Sequence, residues 1–554
     1  MFKLRALLTI VFLINSLLQG QDRTVGLLHY DSTVTEGYTL FSPMASTQTY
    51  LIDNCGEKIK EWTFNNLPGL YGRLLEDGSI IKAERRGGSF GAGGSGGGIA
   101  HQSWDGEQIW SFQYSDEKVR QHHDFEYLPN GNVLLLAWER KTLEESEALG
   151  RISSSINPNG VWFEQVVEIK PIGIDSGEIV WKWHITDHLV QDNIDTLDNF
   201  QNIAESPEKL NINYRVFNTN APLQPGNPDW LHFNAISYHE AADLILISSR
   251  NTNEVYIIDH STTTEEAKTG IGGNFNKGGD FLFRWGNNAV FNKDIEENRF
   301  LYNQHHVNWM NPSSTDDLTF SIFNNGLNRP GGTVSSVEIL TPYVENGAFI
   351  LSETGIYEPL VIETFLDTED IGFTSPRLSS AQILDNGNFL IASGNFGEIF
   401  EVSKEGEILW LYHVPVNNIG PITQGENSTT TDIFRAEKYS ENFDAFTNRD
   451  LTPLGEIELI PLPNLCLDST SVSILEDDSF KIKIFPNPTT QIVTIEADKF
   501  INFRAEVFDF NGKQLDKINC SHQGKLNLQN LNSGIYIIKV ITGNKEKMYK
   551  IVKE

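Results

Sequence analysis

Residues 385–410 read DNGNFLIASGNFGEIFEVSKEGEILW and contain both halves of a phrase that recurs between residues 50 and 415. The first half is a tight turn followed by a hydrophobic strand, and it returns at residues 76–81 and 129–134. Asn-Gly and Asp-Gly pairs supply the positive φ angles that such hairpin turns need. The second half is a glycine, a short apolar stretch and a tryptophan, and it returns at residues 56–62, 106–110, 177–181 and, more loosely, 278–285.

The repeats indicate units of roughly 50 to 100 residues, each a set of short strands that ends in a tryptophan. A degenerate stretch around residues 337–365 brings the number of units to about six. We therefore predict an all-β protein with a six-bladed β-propeller over residues 21–465. The alternative is a stacked β-sandwich with similar hairpins, but the repeats run on too long for one sandwich.

The first twenty residues are typical of a secretory signal peptide (residues 1–20). Lys3 and Arg5 precede a mostly apolar run over residues 6–18. That run is too short to span a membrane comfortably and no later stretch is apolar enough, so we expect export without membrane insertion. The formal net charge of −32 disfavours binding to nucleic acid or to an anionic membrane surface.

The three cysteines are Cys55, Cys466 and Cys520, and no CxxC motif occurs. A zinc-thiolate site is therefore not expected. Cys55 and Cys466 lie near the two ends of the predicted propeller, where an oxidising compartment would allow a bridge between them. Three separate buried thiols are the alternative.

A linker over residues 466–482 leads to a separate module over residues 483–554. It begins with KIFPNP at 483–488 and continues through VFDFNG at 507–512, LQNL at 528–531 and SGIYIIKV at 533–540. The alternating strands predict a small β-sandwich. These phrases resemble the C-terminal sorting domain of the type IX secretion pathway of Bacteroidetes. The resemblance implies export by the type IX secretion machinery to a secreted or cell-surface location, often with removal of the domain.

Three short segments place a histidine two residues before an Asp or Asn. They are His122–Asp124, His232–Asn234 and His306–Asn308, roughly 75 to 110 residues apart. Inner strands of a propeller begin at one face around the central channel, so equivalent positions in different blades converge there. On the same side of each strand, the Asp or Asn would orient an imidazole or support the backbone of the turn. Arg250, at the end of strand 244–249, would lie near the site of its own blade.

This set of side chains suits a compact oxyanion. Arginine offers a fixed fork of donors that matches sulfate, phosphate or carboxylate. Neutral histidine attacks an electrophilic centre, and protonated histidine stabilises oxygens or protonates a leaving group. One alternative uses the histidines as ligands of a divalent metal, although Arg250 would repel the ion. Another is a non-catalytic exported propeller that binds anionic glycans or an adhesion partner.

The glycine-rich stretch 87–98 is not followed by Lys-Ser/Thr and has no parallel βα context, so it is a poor phosphate loop. We predict a flexible loop that lines the channel next to Arg85, Arg86 and His101.

The order of these motifs resembles the bacterial aryl-sulfate sulfotransferase family. The matching phrases are HHD at 122–124, DWLHFN at 229–234, SSR at 248–250, QHH at 304–306 and FNNG at 323–326, with GYTLFSP at 37–43 and the stretch 379–412. The resemblance covers most of residues 25–420. It implies a six-bladed propeller that moves a sulfuryl group from a phenolic sulfate ester to a phenol, with neither a nucleotide donor nor another cofactor.

Carried over by position, the resemblance makes His306 the histidine that is transiently sulfurylated. It places His122, His232 and Arg250 around the sulfuryl group. The residues expected to support substrate binding are His123, His305, Asn234 and Asn308, and no metal is expected. The choice of His122 and His306 rests on the His-x-Asp/Asn spacing that they share with His232. Because a slip of one residue on a strand swaps its faces, His123 and His305 remain alternatives.

Overall fold

The computed structural model describes residues 23–214, 227–365, 373–426, 429–466, 482–497, 502–509, 513–542 and 545–553. The predicted signal peptide (residues 1–20) and most of the predicted linker (466–482) lie outside the described residues. The chain divides into two compact units, Met1–Leu467 and Asp468–Glu554. Both units are built almost entirely from antiparallel strands.

Among its described residues, the first unit contains six large antiparallel sheets, five of four strands and one of five. We number them sheets 1 to 6 and give their strands in hydrogen-bonded order. Sheet 1 consists of Ile433–Tyr439, Tyr38–Pro43, Gln48–Ile52 and Lys58–Thr63, and sheet 2 of Pro68–Leu74, Ile80–Arg85, Gly97–Gln102 and Gln108–Gln113. Sheet 3 consists of Val119–Tyr127, Val133–Lys141, Val161–Ile172 and Ser176–His184, and sheet 4 of Phe233–His239, Leu244–Ser249, Glu254–Asp259 and Phe283–Trp285. Sheet 5 consists of His305–Trp309, Phe320–Asn324, Ser336–Pro342 and Pro359–Phe365, and sheet 6 of Ser380–Ile383, Phe389–Ser393, Glu398–Val402, Ile408–His413 and Gly26–Tyr30.

Short elements fill the connections. Helix α1 spans Leu143–Ala148, and 3₁₀ turns occupy Ser153–Ser155, Ile185–His188, Ile203–Glu205, Glu266–Lys268, Asn288–Phe291, Glu296–Asn298 and Asp444–Phe446. Two small strand pairs join Leu189–Val190 with Leu210–Asn211 and Val344–Glu345 with Ala348–Phe349.

The turn half of the sequence repeat joins the first and second strands of sheets 2, 3 and 6. Gly78, Gly131 and Gly387 in these turns have φ angles of 82°, 83° and 82°. Glycine adopts this left-handed backbone without the steric cost that a Cβ would add. The turns thus have the backbone that Asp-Gly and Asn-Gly predict.

The tryptophan half of the repeat forms the fourth strand of sheets 1, 2, 3, 4 and 6. Four of these buried indoles donate Nε1–H to the following sheet, at the connection between its third and fourth strands or, in sheet 3, at the first residue of the fourth strand. The pairs are Trp62 with Ser103 O (3.2 Å), Trp110 with Ser176 O (2.7 Å), Trp181 with Thr262 Oγ1 (3.2 Å) and Trp410 with Asn54 O (2.8 Å). The last pair joins sheet 6 to sheet 1, so the contact that links consecutive sheets also links the last sheet to the first.

The first strand of each sheet contacts the first strand of the next, and the first strand of sheet 6 contacts that of sheet 1. The two ends of the unit are also paired within sheets. Ile433–Tyr439 pairs with Tyr38–Pro43, and Gly26–Tyr30 pairs with Ile408–His413. The six first strands therefore form a closed series, and side chains from distant parts of the sequence meet where these strands begin.

A disulfide joins Cys55 and Cys466, which are 411 residues apart, with their Cα atoms 5.5 Å from each other. The sequence left open either a bridge between these two cysteines or three separate thiols, and the structure has the bridge. Cys520, in the second unit, is a free, partly buried thiol.

The described residues of the second unit form one seven-stranded antiparallel sheet. Its strands, in hydrogen-bonded order, are Ile482–Phe485, Ile492–Ala497, Gln523–Asn527, Gln514–Ser521, Asn502–Phe508, Gly534–Thr542 and Lys545–Lys553. Alternate residues such as Val493 and Ile495, or Ile538 and Val540, are fully buried in its own core. The predicted small sandwich stays a prediction. No helix among the described residues is long and apolar enough to cross a membrane.

Replacing Cys55 by serine should lower the free energy of unfolding of the exported protein by about 2–5 kcal/mol, because the bridge restricts a very long loop in the unfolded chain. Thermal or denaturant unfolding without reductant measures this. Cys520→Ser is the matched control and should unfold like wild type. Equal unfolding midpoints for wild type and Cys55→Ser would show that the bridge contributes nothing.

Candidate active site

The predicted site residues lie where the first strands of sheets 3, 4 and 5 begin. His122 and His123 lie in Val119–Tyr127, His232 directly precedes Phe233–His239, and His305 and His306 open His305–Trp309. Arg250 follows the second strand of sheet 4, and its backbone N–H donates to His232 O at 3.2 Å.

Each of these first strands has an irregular register at the histidine. Residues 121–125 lie opposite only residues 135–137, 233–235 opposite 248–249, and 305–307 opposite 322–323. His123, His232 and His306 also have positive φ angles of 48°, 57° and 37°. Bulges of this kind redirect side chains, so the simple alternation of a strand does not hold here.

His123, His232, His305 and Arg250 come together at this point. The imidazole rings of His123 and His232 lie edge to face with centroids 4.5 Å apart. Burial holds the pKa of His123 well below its usual range, and the charges of His232, His122, His305 and Arg250 lower it further. Burial, followed by the charge of Arg250, lowers the pKa of His305 in the same way. Both imidazoles are therefore neutral near pH 7.

The mostly buried Arg250 is available to an anion. Its Nη1 donates to Asn251 Oδ1 at 3.0 Å, and among the described residues it forms no salt bridge with a carboxylate. Burial lowers its pKa, an effect that Asp229 partly offsets. A buried guanidinium without a paired carboxylate favours a bound oxyanion.

The hydrogen bonds of His305 fix its tautomer. Its Nδ1 lies 2.7 Å from Asn325 Oδ1 and 3.1 Å from Asn303 O. The Asn325 amide nitrogen donates to Ser375 O at 2.7 Å and Leu378 O at 3.0 Å, which makes its Oδ1 an acceptor. Nδ1 of His305 must then carry the proton, and Nε2 retains a free lone pair.

His232 is oriented by a carboxylate that the sequence did not single out. Its Nδ1 lies 2.5 Å from Asp229 Oδ2, three residues earlier in the chain. The carboxylate holds the proton on Nδ1 and leaves Nε2 for a substrate, and it also stabilises an imidazolium.

His122 does not share the space around Arg250 directly but reaches it through His123. Its Nδ1 lies 2.9 Å from His123 Nδ1, and its Nε2 lies 2.8 Å from Glu164 Oε2. The ring is fully buried and stacks on Trp138 with centroids 4.1 Å apart. Glu164, also absent from the sequence prediction, accepts from Phe233 N through its other oxygen at 2.9 Å.

The proton positions in this chain of three groups are linked. Burial raises the pKa of Glu164. With a proton on Glu164, its carboxyl group donates to His122 Nε2, and His122 Nδ1–H then donates to His123 Nδ1. In that state His123 carries its own proton on Nε2, where it can donate to a ligand.

His306 faces sheet 6 and lies apart from these groups. Its Nδ1 accepts from Ala381 N at 3.3 Å, and burial, followed by the charge of Arg435, holds its pKa well below the usual range. Arg435 in turn forms a bidentate pair with Asp124 at 3.0 and 2.6 Å.

Asp124, Asn234 and Asn308 form hydrogen bonds to neighbouring first strands or to the residue that precedes one. Asp124 accepts from Ile236 N at 2.9 Å, Asn234 donates to Gln304 O at 2.8 Å, and Asn308 accepts from Ser237 Oγ at 3.4 Å. Within the part of the chain that the structure describes, no group of three or more His, Cys, Asp or Glu side chains is arranged to hold a metal ion.

Several solved structures share a partial likeness with the chain. A protein of unknown function from Bacteroides caccae is 11% identical over 73% of this chain and 98% of its own, with a TM-score of 0.38. A virginiamycin B lyase from Staphylococcus aureus is 10% identical over 71% and 90%, with a TM-score of 0.31. A periplasmic gluconolactonase from Pseudomonas aeruginosa is 11% identical over 68% and 96%, also with a TM-score of 0.31. Scores this low assign neither the fold nor the function of the chain. No curated protein matches it closely enough to count as a relative.

Two family models match the sequence. Residues 483–554 match the secretion system C-terminal sorting domain, which indicates export followed by secretion or attachment to the cell surface. Residues 31–338, more than half of the 554 residues, match the arylsulfotransferase (ASST) model. This match spans the strands that carry His123, His232, Arg250 and His305. The chain therefore belongs to the arylsulfotransferase family.

Proposed function

We propose that the protein transfers a sulfuryl group from a phenolic sulfate ester to a phenol through a sulfohistidine at His305, without a nucleotide. In this proposal the six sheets are the blades of a six-bladed propeller, and the site lies at the channel where their first strands begin. The observation that carries the proposal is the free Nε2 lone pair of neutral His305 beside Arg250, a cation without a carboxylate partner among the described residues.

In the first step His305 Nε2 attacks the sulfur of the donor. A nitrogen–sulfur bond forms, the bond between sulfur and the phenolic oxygen breaks, and its electron pair leaves with that oxygen. His232, in its imidazolium form and held by Asp229, gives the proton that the departing phenolate takes up. Arg250 and the Nε2–H of His123 bind the sulfuryl oxygens as their charge grows.

In the second step a phenol acceptor takes the place of the first product. Neutral His232 removes its proton, and the phenolate oxygen attacks sulfur. The nitrogen–sulfur bond breaks and returns its electron pair to His305 Nε2. The enzyme regains its starting protonation state after each cycle, so the transfer consumes no cofactor.

The proposal selects His305 where the sequence spacing selected His306, and His123 where it selected His122. Shared space with Arg250 and His232 supports this choice for both residues. His306, next to Ala381 and Arg435, has a structural role in this proposal, and His122 orients His123.

Replacing His305 by alanine should abolish transfer, by about 10³-fold or more, because the nucleophile is lost. His306→Gln is the matched variant and should retain activity within about tenfold, since a glutamine oxygen also accepts from Ala381 N–H. Release of a coloured phenol from its sulfate ester, with and without a phenol acceptor, measures both. A folded His306→Gln protein as inactive as His305→Ala would make His306 the nucleophile instead.

The rate of the first step should not fall as the pH is lowered from about 7.5 to about 5.5. An ordinary imidazole would be about tenfold less available at pH 5.5 because it becomes protonated. His305 has a pKa well below that range, so its lone pair persists. Single-turnover phenol release across this range measures the effect, and a decline with a midpoint near pH 6.5 would contradict it.

Glu164→Gln should keep transfer within a few-fold of wild type. With its amide oxygen toward Phe233 N and its amide nitrogen toward His122 Nε2, glutamine reproduces the protonated carboxyl group. Glu164→Ala should lose about 10- to 100-fold because His122 and His123 are left without a fixed proton. Equal losses in both variants, at unchanged thermal stability, would contradict a protonated Glu164.

A further inference from the structure

A groove of about 720 Å³ lies between the glycine-rich loop (residues 87–98) and the outer part of sheet 3. We call it the loop groove, and its walls include Phe90, Trp162, Pro228, Arg120 and Arg140. Its volume is in the range of sites that hold small organic ligands.

The loop groove lies next to the proposed active site. Gly94, in the loop, accepts from His123 N at 2.8 Å, and a Cβ on Gly94 would lie 2.0 Å from the His123 ring. On the other side, Trp162 N donates to Pro228 O at 2.6 Å, one residue before Asp229, which orients His232. The same two segments therefore shape the groove and position two of the catalytic histidines.

The groove is positively charged in a strongly acidic protein. The chain has a net charge of −32, yet no Asp or Glu lines the groove among the described residues. Neither Arg120 nor Arg140 forms a salt bridge with a carboxylate in the described part of the chain. Two guanidinium groups without acidic partners attract an anion.

Arg120 is held in place by the loop itself. Its guanidinium donates to the carbonyl of Phe90 and, at 3.3 Å each, to those of Arg86 and Gly96. A Cβ on Gly88 or Gly91 would lie 3.0 or 2.7 Å from Arg120 Nη1, so the loop needs glycine to pass this close. The cation is therefore fixed before any ligand arrives.

The groove also offers aromatic surface. Phe90 and Trp162 lie with ring centroids 5.0 Å apart, and Trp162 contacts Trp138, on which His122 stacks. Such a wall binds an aromatic ring through stacking and edge-to-face contacts. The ring and the two cations together match a ligand with both an aryl group and a negative charge.

We propose that the loop groove binds the aryl part of a substrate that carries an anionic group, such as a carboxylate, in addition to the sulfate ester or hydroxyl that reacts. Its role as a substrate site rests on the transferase function proposed above, whereas binding of an aromatic anion does not.

Two donors test the substrate role, phenyl sulfate and 4-carboxyphenyl sulfate. Wild type should have a KM about tenfold lower for the carboxylated donor, as expected for a charge-assisted contact. In wild type the Nε of Arg140 donates to Asn159 O at 3.1 Å. The Arg140→Met substitution should erase the difference in KM with little change in kcat. Lys118→Met, an exposed cation outside the groove, is the matched control and should preserve it. An unchanged KM ratio in Arg140→Met and in Arg120→Met would overturn the proposal.

A binding titration separates this inference from the transferase function. Naphthalene-2-sulfonate should bind the full-length exported protein, and cyclohexanesulfonate, an anion without an aromatic ring, should bind at least about tenfold more weakly. Arg140→Met should weaken the naphthalenesulfonate complex about tenfold, whereas Arg120→Lys, which keeps the charge, should weaken it less. If wild type transfers no sulfuryl group but these differences in binding affinity are found, the transferase proposal fails and the proposal of an aromatic-anion site in the groove stands. Equal binding of both anions, or no effect of Arg140→Met on binding, would overturn the proposal that the groove binds aromatic anions.

Discussion

The closed series of six sheets is the constraint on which the rest of the first unit depends. Its two ends meet in sheet 1, where Ile433–Tyr439 pairs with Tyr38–Pro43. Main-chain hydrogen bonds, the Trp410 contact to Asn54 and the Cys55–Cys466 bridge all act at this junction. Because the first strands contact one another in a ring, residues more than 100 positions apart share one small space.

The candidate site contains polar and charged groups whose burial lowers the stability of the fold. Arg250 keeps a mostly buried charge with no paired carboxylate in the part of the chain that the structure describes, and His123 and His305 remain neutral through burial. Such groups are costly unless a ligand or a hydrogen bond compensates them. The compensation comes from one partner behind each imidazole: Asn325 behind His305, Asp229 behind His232, and the His122–Glu164 pair behind His123. These partners bind one nitrogen of each ring and leave the other free, and in the proposed mechanism that decides whether a histidine attacks, donates or accepts.

Much of the fold was accessible from local patterns. The turn glycines occupy equivalent positions in several sheets because each turn needs a positive φ angle. The tryptophans occupy equivalent positions because each buried indole donates a hydrogen bond to the next sheet. The choice within each adjacent histidine pair was not accessible from the spacing. His-x-Asn spacing presumes regular alternation, and the bulges at residues 121–125 and 305–307 break it. We therefore propose His123 and His305 where the spacing predicts His122 and His306. Glu164 carries no signal of its own, whereas Asp229 and Asn325 stand in the family phrases DWLHFN and FNNG, where no role was assigned to them.

Sequence patterns were enough to predict the all-β repeat, a group of histidines with an arginine, the sorting domain and the family, because each depends on residues that are close together or in a fixed order. Tertiary structure alone decided which histidine of each adjacent pair lies beside Arg250 and which tautomer it adopts. It also decided that the glycine-rich loop borders a groove with two arginines that have no carboxylate partner among the described residues. These properties depend on bulges and on contacts between sheets far apart in the chain. Burial and hydrogen bonding at such contacts arise only after the ring has closed.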